Sequence, residues 1–208
     1  MSGFTLHKAL IYTSAPPVRT EITMASIEDV LLQYRELCSY CDSFFKRVSA
    51  AYPSEITCRQ GCAHCCTLTS VCALEAHSIN RFLARHGGNS PAQRTTHGRT
   101  AAGQCEFLDG ESCAIYPARP IICRTHGLPL RSPDESRIDC CPLNFANSDI
   151  QSLKKSDVFD IGRATMNLMR LNIAFCMLIG DTNLSGRRFN MESVSSATLP
   201  QAIARLSL

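Results

Sequence analysis

The sequence predicts a mainly α protein with a small β-hairpin and a loop-rich cysteine knuckle, organised as a single domain. Three observations carry this. Long stretches place apolar residues at helical three- and four-residue steps, one Asp-Gly pair sits between two short apolar runs, and four cysteines crowd into residues 58–66. With 208 residues, 45% of them hydrophobic and 19% charged, the chain can bury an ordinary core without covalent staples.

Residues 1–25 lack periodicity and contain Pro16-Pro17, which predicts an extended N-terminal arm; Met24 offers a second start site. From Ser26, a good N-cap, Val30, Leu31, Tyr34, Leu37, Cys38, Cys41, Phe44, Phe45 and Val48 line one helical face, and Pro53 closes the helix. Cys38 and Cys41 have ligand spacing but lie on that apolar stripe, so they read as small buried hydrophobes. A second helix is expected from about Ala73 to His86, with Leu74, Ile79, Phe82 and Leu83 inward and Gly87-Gly88 as its stop. Residues 89–103 read as a polar loop or a short, weak helix. The segment CEFLDGESCAIY predicts a hairpin with a loop of three or four residues, and ARPIICR a helical turn with Pro120 near its start. After a largely loop-like stretch over 127–155, a third long helix is expected from about Asp157 to Ile179, apolar on nearly all sides toward its end and hence buried. Cys176 belongs to its core side. A last short helix would turn Leu199, Ile203 and Leu206 inward. The division expected is therefore an arm over 1–25 and a single domain over 26–208, with the motif core at 55–145.

A net charge of +3, scattered arginines and the absence of Trp argue against nucleic-acid binding. The N-terminus carries no convincing signal peptide, and no run approaches the roughly 18 apolar residues of a membrane span, so a cytoplasmic protein without membrane association is expected. Thirteen cysteines, an odd count with two adjacent pairs, fit a disulfide framework poorly and fit reduced, metal-binding thiols better.

The central signal is CRQGCAHCC, with Cys58, Cys62, Cys65 and Cys66 interrupted by polar residues and by Gly61, which can take a positive-φ turn. Such a segment can curl around a metal and point its sulfurs inward. Adjacent side chains in extended backbone face opposite ways, so Cys65 and Cys66 reach one ion only through a tight turn and otherwise serve two. Cys105, Cys113, Cys123 and one of Cys140 or Cys141 bring the candidates to eight, a surplus over the four that one zinc or one four-iron cluster needs. Arg119 and Arg124 flank Cys123, where cations would lower thiol pKa and offset the charge of a thiolate centre. His64 and His126 are read as solvent-facing or hydrogen-bonded rather than ligating. Cys72 can cap, pack or bind.

The blocks Cys58, Gly61, Cys62, Cys65 and Cys66, then Glu75, then Cys105, Phe107, Leu108, Cys113, Ile115, Tyr116, Arg119, Pro120, Cys123 and Arg124 resemble the YkgJ-type cysteine-cluster family, a CxxxCxxCC zinc- or iron-chelating domain. The resemblance covers about residues 55–145 and leaves out the arm and Cys38, Cys41, Cys72 and Cys176. It implies iron–sulfur or zinc binding with no set reaction. Flagellin lysine N-methylases carry a similar motif within a larger protein, which keeps an enzyme in view by analogy alone.

Two functions compete. One is an iron or iron–sulfur centre used in redox chemistry or in modifying a protein or peptide. The other is a structural zinc module that binds a partner. A thiol–disulfide or metal-delivery role would rest on CSYC, which lacks a thioredoxin-like context. No GxGxxG, GxxxxGK or GxSxG segment supports nucleotide or serine-hydrolase chemistry. The residues singled out as metal ligands are Cys58, Cys62, Cys65, Cys66, Cys105, Cys113, Cys123, Cys140 and Cys141; Arg119 and Arg124 support the bound group, and Glu75 is a capping carboxylate or an oxygen ligand.

Overall fold

A computed structural model describes residues 26–86, 103–132, 137–194 and 199–204. The expected arm, the Gly87-Gly88 stop, most of the 89–103 loop and Leu206 lie outside them. Helix α1 spans Ile27–Ala51, and Ser26, extended at φ −149° and ψ 163°, accepts the Asp29 N–H at 3.2 Å on its hydroxyl. That bond satisfies one orphan donor of the first turn, and Glu28 and Asp29 there complement the helix dipole. The helix stops before Pro53, whose ring disfavours helical backbone in the preceding residue. Its buried face runs from Val30 through Tyr34, Cys38, Cys41 and Phe44 to Val48, while Phe45 is only half-buried.

Strand β1 (Ser70–Val71) leads into helix α2 (Ala73–Arg85). The α2 N-terminus is buried, so its free N–H groups need partners inside the protein. The Glu75 carboxylate accepts the Cys72 N–H at 3.4 Å, and the Asn172 side-chain oxygen accepts the Leu74 N–H at 3.0 Å. Strands β2 (Leu108–Asp109) and β3 (Ser112–Cys113) form the predicted hairpin, with only Gly110-Glu111 between the paired ends. The loop is shorter than expected because Asp109 and Ser112 pair with each other, and Gly110 at φ +59° supplies the left-handed first turn position that matches strand twist. Helix α3 (Ile121–Thr125) follows a single 3₁₀ turn, with Pro120 as its N-cap.

The loop-like stretch contains strands β4 (Leu130–Arg131) and β5 (Ile138–Asp139). β4 pairs antiparallel with β5 and parallel with β6 (Phe159–Asp160). Helix α4 (Ile161–Leu178) begins later than the expected Asp157. Asp157 is instead held by Arg47 and by the Tyr52 hydroxyl, each at 2.8 Å, and Asp160 caps the helix by accepting the Arg163 N–H at 2.8 Å. The expectation that α4 is buried on nearly all sides is also corrected. Ala164, Leu168, Leu171, Phe175 and Cys176 face the core, whereas Met166, Ile173 and Met177 are 54%, 49% and 63% exposed. Strand β7 (Phe189–Asn190) pairs antiparallel with β1, followed by short helices α5 (Met191–Val194) and α6 (Gln201–Ala204), where Leu199 and Ile203 are buried.

Helix α4 packs against both α1 and α2, and α3 lies on α1, so three long helices build the core, which includes Cys105 and against which Cys66 and Cys113 pack. Phe159 anchors the junction, edge-on to Phe44 at 5.1 Å between centroids and 5.8 Å from Tyr40. The fold is thus mainly α with a small hairpin. Among the described residues, no helix is long and apolar enough to cross a membrane.

Candidate metal centre

The knuckle is built by two consecutive turns. The Cys62 N–H donates to the Arg59 carbonyl at 3.0 Å, with Gly61 at φ +96° in the third position, as a type II turn requires. The Cys66 N–H then donates to Ala63 O at 3.0 Å, and the Thr67 N–H returns to Cys65 O at 2.9 Å. The backbone therefore bends sharply around the Cys65-Cys66 pair.

Long-range bonds bring the later cysteines to this knuckle. The Cys105 N–H donates to Cys66 O at 2.8 Å, the hairpin sets Cys113 across from Leu108, and α3 carries Cys123. Seven thiols, those of Cys58, Cys62, Cys65, Cys66, Cys105, Cys113 and Cys123, line one cavity of about 580 Å³. Phe45, Leu68 and Met191 add apolar wall, and Arg59, Arg119, Arg124 and His126 add polar groups. None of the thirteen cysteines is in a disulfide, and six of the seven cavity cysteines are only half-buried. Cys38, Cys41, Cys72 and Cys176 are buried in the core away from this cavity. Among the described residues, no three Cys, His, Asp or Glu side chains already stand at a spacing that grips an ion, so the thiols share a cavity rather than a finished cage.

Burial raises the pKa of five of these thiols, favouring their protonated form. It pushes Cys58 up to about 12, with the charges of Cys141, Cys62 and Cys65 adding to the rise and the Asn144 amide opposing it. Cys65, Cys66, Cys105 and Cys123 are raised for the same first reason, reinforced by neighbouring sulfurs. Arg119 pulls the other way on Cys66. A metal must therefore displace protons as it binds.

Arg124 is buried, and its guanidinium donates to Asp42 on α1 and to the Pro117 and Arg119 carbonyls, the last two at 2.7 and 2.8 Å. Arg119 stacks on the Tyr116 ring, 3.6 Å from its centroid. Both arginines hold the 116–125 segment in place at the cavity edge. Glu75 does not line the cavity. Its carboxylate accepts the Cys72 and Ile121 N–H groups, the latter at 3.0 Å, and so joins the starts of α2 and α3. His64 is exposed and outside the cavity lining, whereas His126 lines the cavity and burial lowers its pKa, keeping the ring neutral.

Cys140 and Cys141 also stand outside the lining. The Cys140 thiol donates to Gly127 O at 3.4 Å, while Cys141 is close enough for its charge to act on Cys58 and Cys65. Two residues that the sequence did not single out organise this corner. Asn144, buried, donates its side-chain N–H to the Cys58 sulfur at 3.3 Å and to Gly127 O at 2.7 Å, and its backbone N–H donates to Cys141 O at 2.9 Å. Gly127, at φ +95°, leaves the space that Cys58 fills: a Cβ there would stand 2.7 Å from the Cys58 sulfur. The nearest sequence signal for Asn144 is its place three residues after Cys141, which does not distinguish it from the other asparagines nearby.

Residues 57–135 match the model of the CxxCxxCC family, described as "Putative zinc- or iron-chelating domain". This segment is thus similar to that family, over less than half of the chain. The matched segment contains all seven cavity cysteines, and Cys140, Cys141 and Asn144 lie beyond its boundary. No curated protein and no solved structure matches the chain.

Proposed function

We propose that the CxxCxxCC domain uses Cys58, Cys62, Cys65, Cys66, Cys105, Cys113 and Cys123, completed by a sulfur of the Cys140-Cys141 pair, to hold an iron or iron–sulfur centre that serves redox chemistry or the modification of a protein or peptide. The observation that carries this reading is the size and character of the cavity. At about 580 Å³ it exceeds what a four-thiolate ion requires, and six of its seven cysteines are only half-buried, unlike a closed structural site. The donor set fits the group, since thiolates select iron–sulfur clusters and zinc. The glycine at 127 leaves room for the Cys58 sulfur.

When bound, such a centre supplies electron transfer or Lewis acidity. The protein's part is to release thiol protons on loading, to offset thiolate charge with Arg119, and to keep α3 and its Cys123 in register through Glu75 and Arg124. Phe45, Leu68 and Met191 shield one wall of the cavity from water. A cytoplasmic setting, where thiols stay reduced, suits this chemistry.

A second reading, a structural zinc module that serves as a protein-interaction domain, draws support from the paired turns over Arg59–Cys62 and Ala63–Cys66, which resemble a zinc knuckle. One experiment separates the readings: anaerobic purification, then elemental analysis, acid-labile sulfide and a visible spectrum on the same sample. Iron with sulfide and a coloured, oxygen-sensitive sample is expected. Zinc alone in a colourless, air-stable protein selects the second reading, and no bound metal refutes both.

A further inference from the structure

A second cavity, a groove of about 390 Å³, opens between α1, α2 and the 3₁₀ turn before α3. Asp42, Pro117, Arg119 and Arg124 line both this groove and the thiol cavity. Its volume falls within the roughly 300–1,000 Å³ of binding clefts. Five arginines face a single carboxylate, Asp42, among its lining residues. They come from three parts of the chain, Arg35 from α1, Arg81 and Arg85 from successive turns of α2, and Arg119 and Arg124 from the segment around α3, so the charge is not the solvated face of one helix. Arg124 is buried and committed to Asp42 and two carbonyls. The other four keep donors to offer. Arg35 and Arg85 are exposed and form no ion pair among the described residues. Arg81 pairs at 3.2 Å with Glu28, whose side chain is 67% exposed, and the Arg119–Asp42 pair spans 3.8 Å. Solvent-exposed pairs of this kind hold weakly and give way to a better-placed anion.

Apolar surface lies between these charges, at Phe82, Pro117 and Ala118, none of them fully buried. Stacked bases need open aromatic faces, but His86 stacks on the Phe82 ring at 4.3 Å and Tyr34 is buried, which favours a peptide over a nucleic acid. Resting on the peptide-modification reading above, we propose that this groove docks an acidic peptide segment, whose carboxylates pair with Arg35, Arg81, Arg85 and Arg119 while an apolar side chain between them packs on Phe82, Pro117 and Ala118. Arginine clusters recognise acidic motifs through the fit of the guanidinium fork to carboxylates. The four residues common to both cavities bring such a segment to the edge of the thiols.

The test is fluorescence anisotropy of a fluorescein-labelled Glu-Glu-Leu-Glu-Glu peptide on the full-length, reduced protein, with metal content measured on the same samples. Saturable binding that weakens with added salt is expected, with none for the peptide carrying lysine in place of glutamate and weaker binding when serine replaces leucine. Arg35→Glu/Arg85→Glu should weaken binding by about tenfold or more, because like charges then meet in the groove. Lys155→Glu/Arg163→Glu makes the same charge change in a pocket that shares no residue with the groove and should bind as wild type. Far-UV circular dichroism checks each fold, and Arg35→Gln/Arg85→Gln replaces the first variant if it fails to fold, with a smaller but measurable loss. No saturable binding by wild type, equal losses in the two charge-reversed variants, or displacement of the peptide by a single-stranded oligonucleotide of equal charge at lower concentration than by unlabelled peptide overturns the proposal. Metal without peptide binding removes the groove alone; peptide binding without metal removes the metal reading and leaves the groove standing.

Discussion

Replacing Gly127 by Ala tests the tightest contact in the cysteine corner. A Cβ at this position would stand 2.7 Å from the Cys58 sulfur and 3.1 Å from both the Asn144 side-chain nitrogen and the Cys58 Cβ. None of these is the free end of a flexible surface chain, because Asn144 is buried and hydrogen-bonded to Thr57, Cys58 and Gly127 itself. Two costs add. A left-handed backbone costs an L-residue about 1–2 kcal/mol, and overpacking a filled site costs about 1–3 kcal/mol. Gly61→Ala isolates the first, since Gly61 has φ +96° against +95° for Gly127 but nothing within 4 Å of its added Cβ. Denaturant unfolding of the metal-free proteins should show Gly127→Ala losing about 2–5 kcal/mol, and more than Gly61→Ala by about 1–3 kcal/mol. Zinc affinity should fall in Gly127→Ala as Cys58 is pushed aside. Equal losses in the two variants, with unchanged zinc affinity, would refute the close packing of Cys58 on Gly127.

Three further outcomes are expected. Glu75→Leu strands the buried Cys72 and Ile121 N–H groups at about 1–3 kcal/mol each, so it should destabilise the fold strongly, while Glu75→Gln, which keeps an acceptor oxygen for one of the two, should lose clearly less; similar losses in both would show that the carboxylate does not cap these helices. Arg124→Met removes bonds to Asp42, Pro117 and Arg119 from a buried guanidinium and should cost about 2–4 kcal/mol, whereas Arg119→Met, whose ion pair to the half-exposed Asp42 spans 3.8 Å, should cost about 1 kcal/mol or less by chemical denaturation. Burial holds the Cys41 thiol at about 12 against an ordinary 9.0, so above pH 9 the unfolded chain loses a proton that the folded chain keeps. Stability of the metal-free protein must then fall with rising pH, by about 1.4 kcal/mol per unit for this thiol, and the slope between pH 9 and 11 should shrink in Cys41→Ala; a slope unchanged by that substitution would contradict the burial of Cys41.

Much of this molecule was legible in its residue order. The α1 stripe from Val30 to Val48 and its Ser26 cap are local features, and the helix forms where they predict it. The knuckle turns are local as well, encoded by Gly61 and the short spacings around it. Helix α4 begins at Ile161 and not at the expected Asp157, because Asp160 provides its cap. Only the ion pair with Arg47 commits Asp157 elsewhere. The exposure of Met166, Ile173 and Met177 departs from the burial expected of this helix because apolar periodicity records composition, not which face a neighbour covers.

By itself the sequence determined the helical core, the Asp-Gly hairpin and a thiol-rich knuckle with metal-ligand chemistry, because each depends on residues a few positions apart. Only the tertiary structure decided that Cys105, Cys113 and Cys123 join that knuckle at one cavity, that Glu75 caps instead of lining it, and that Cys140 and Cys141 face different surroundings. Asn144 reaches Cys58 across 86 residues of chain. Contacts of that range are fixed by how α1, α3 and the loops pack together, a collective outcome that no local spacing encodes.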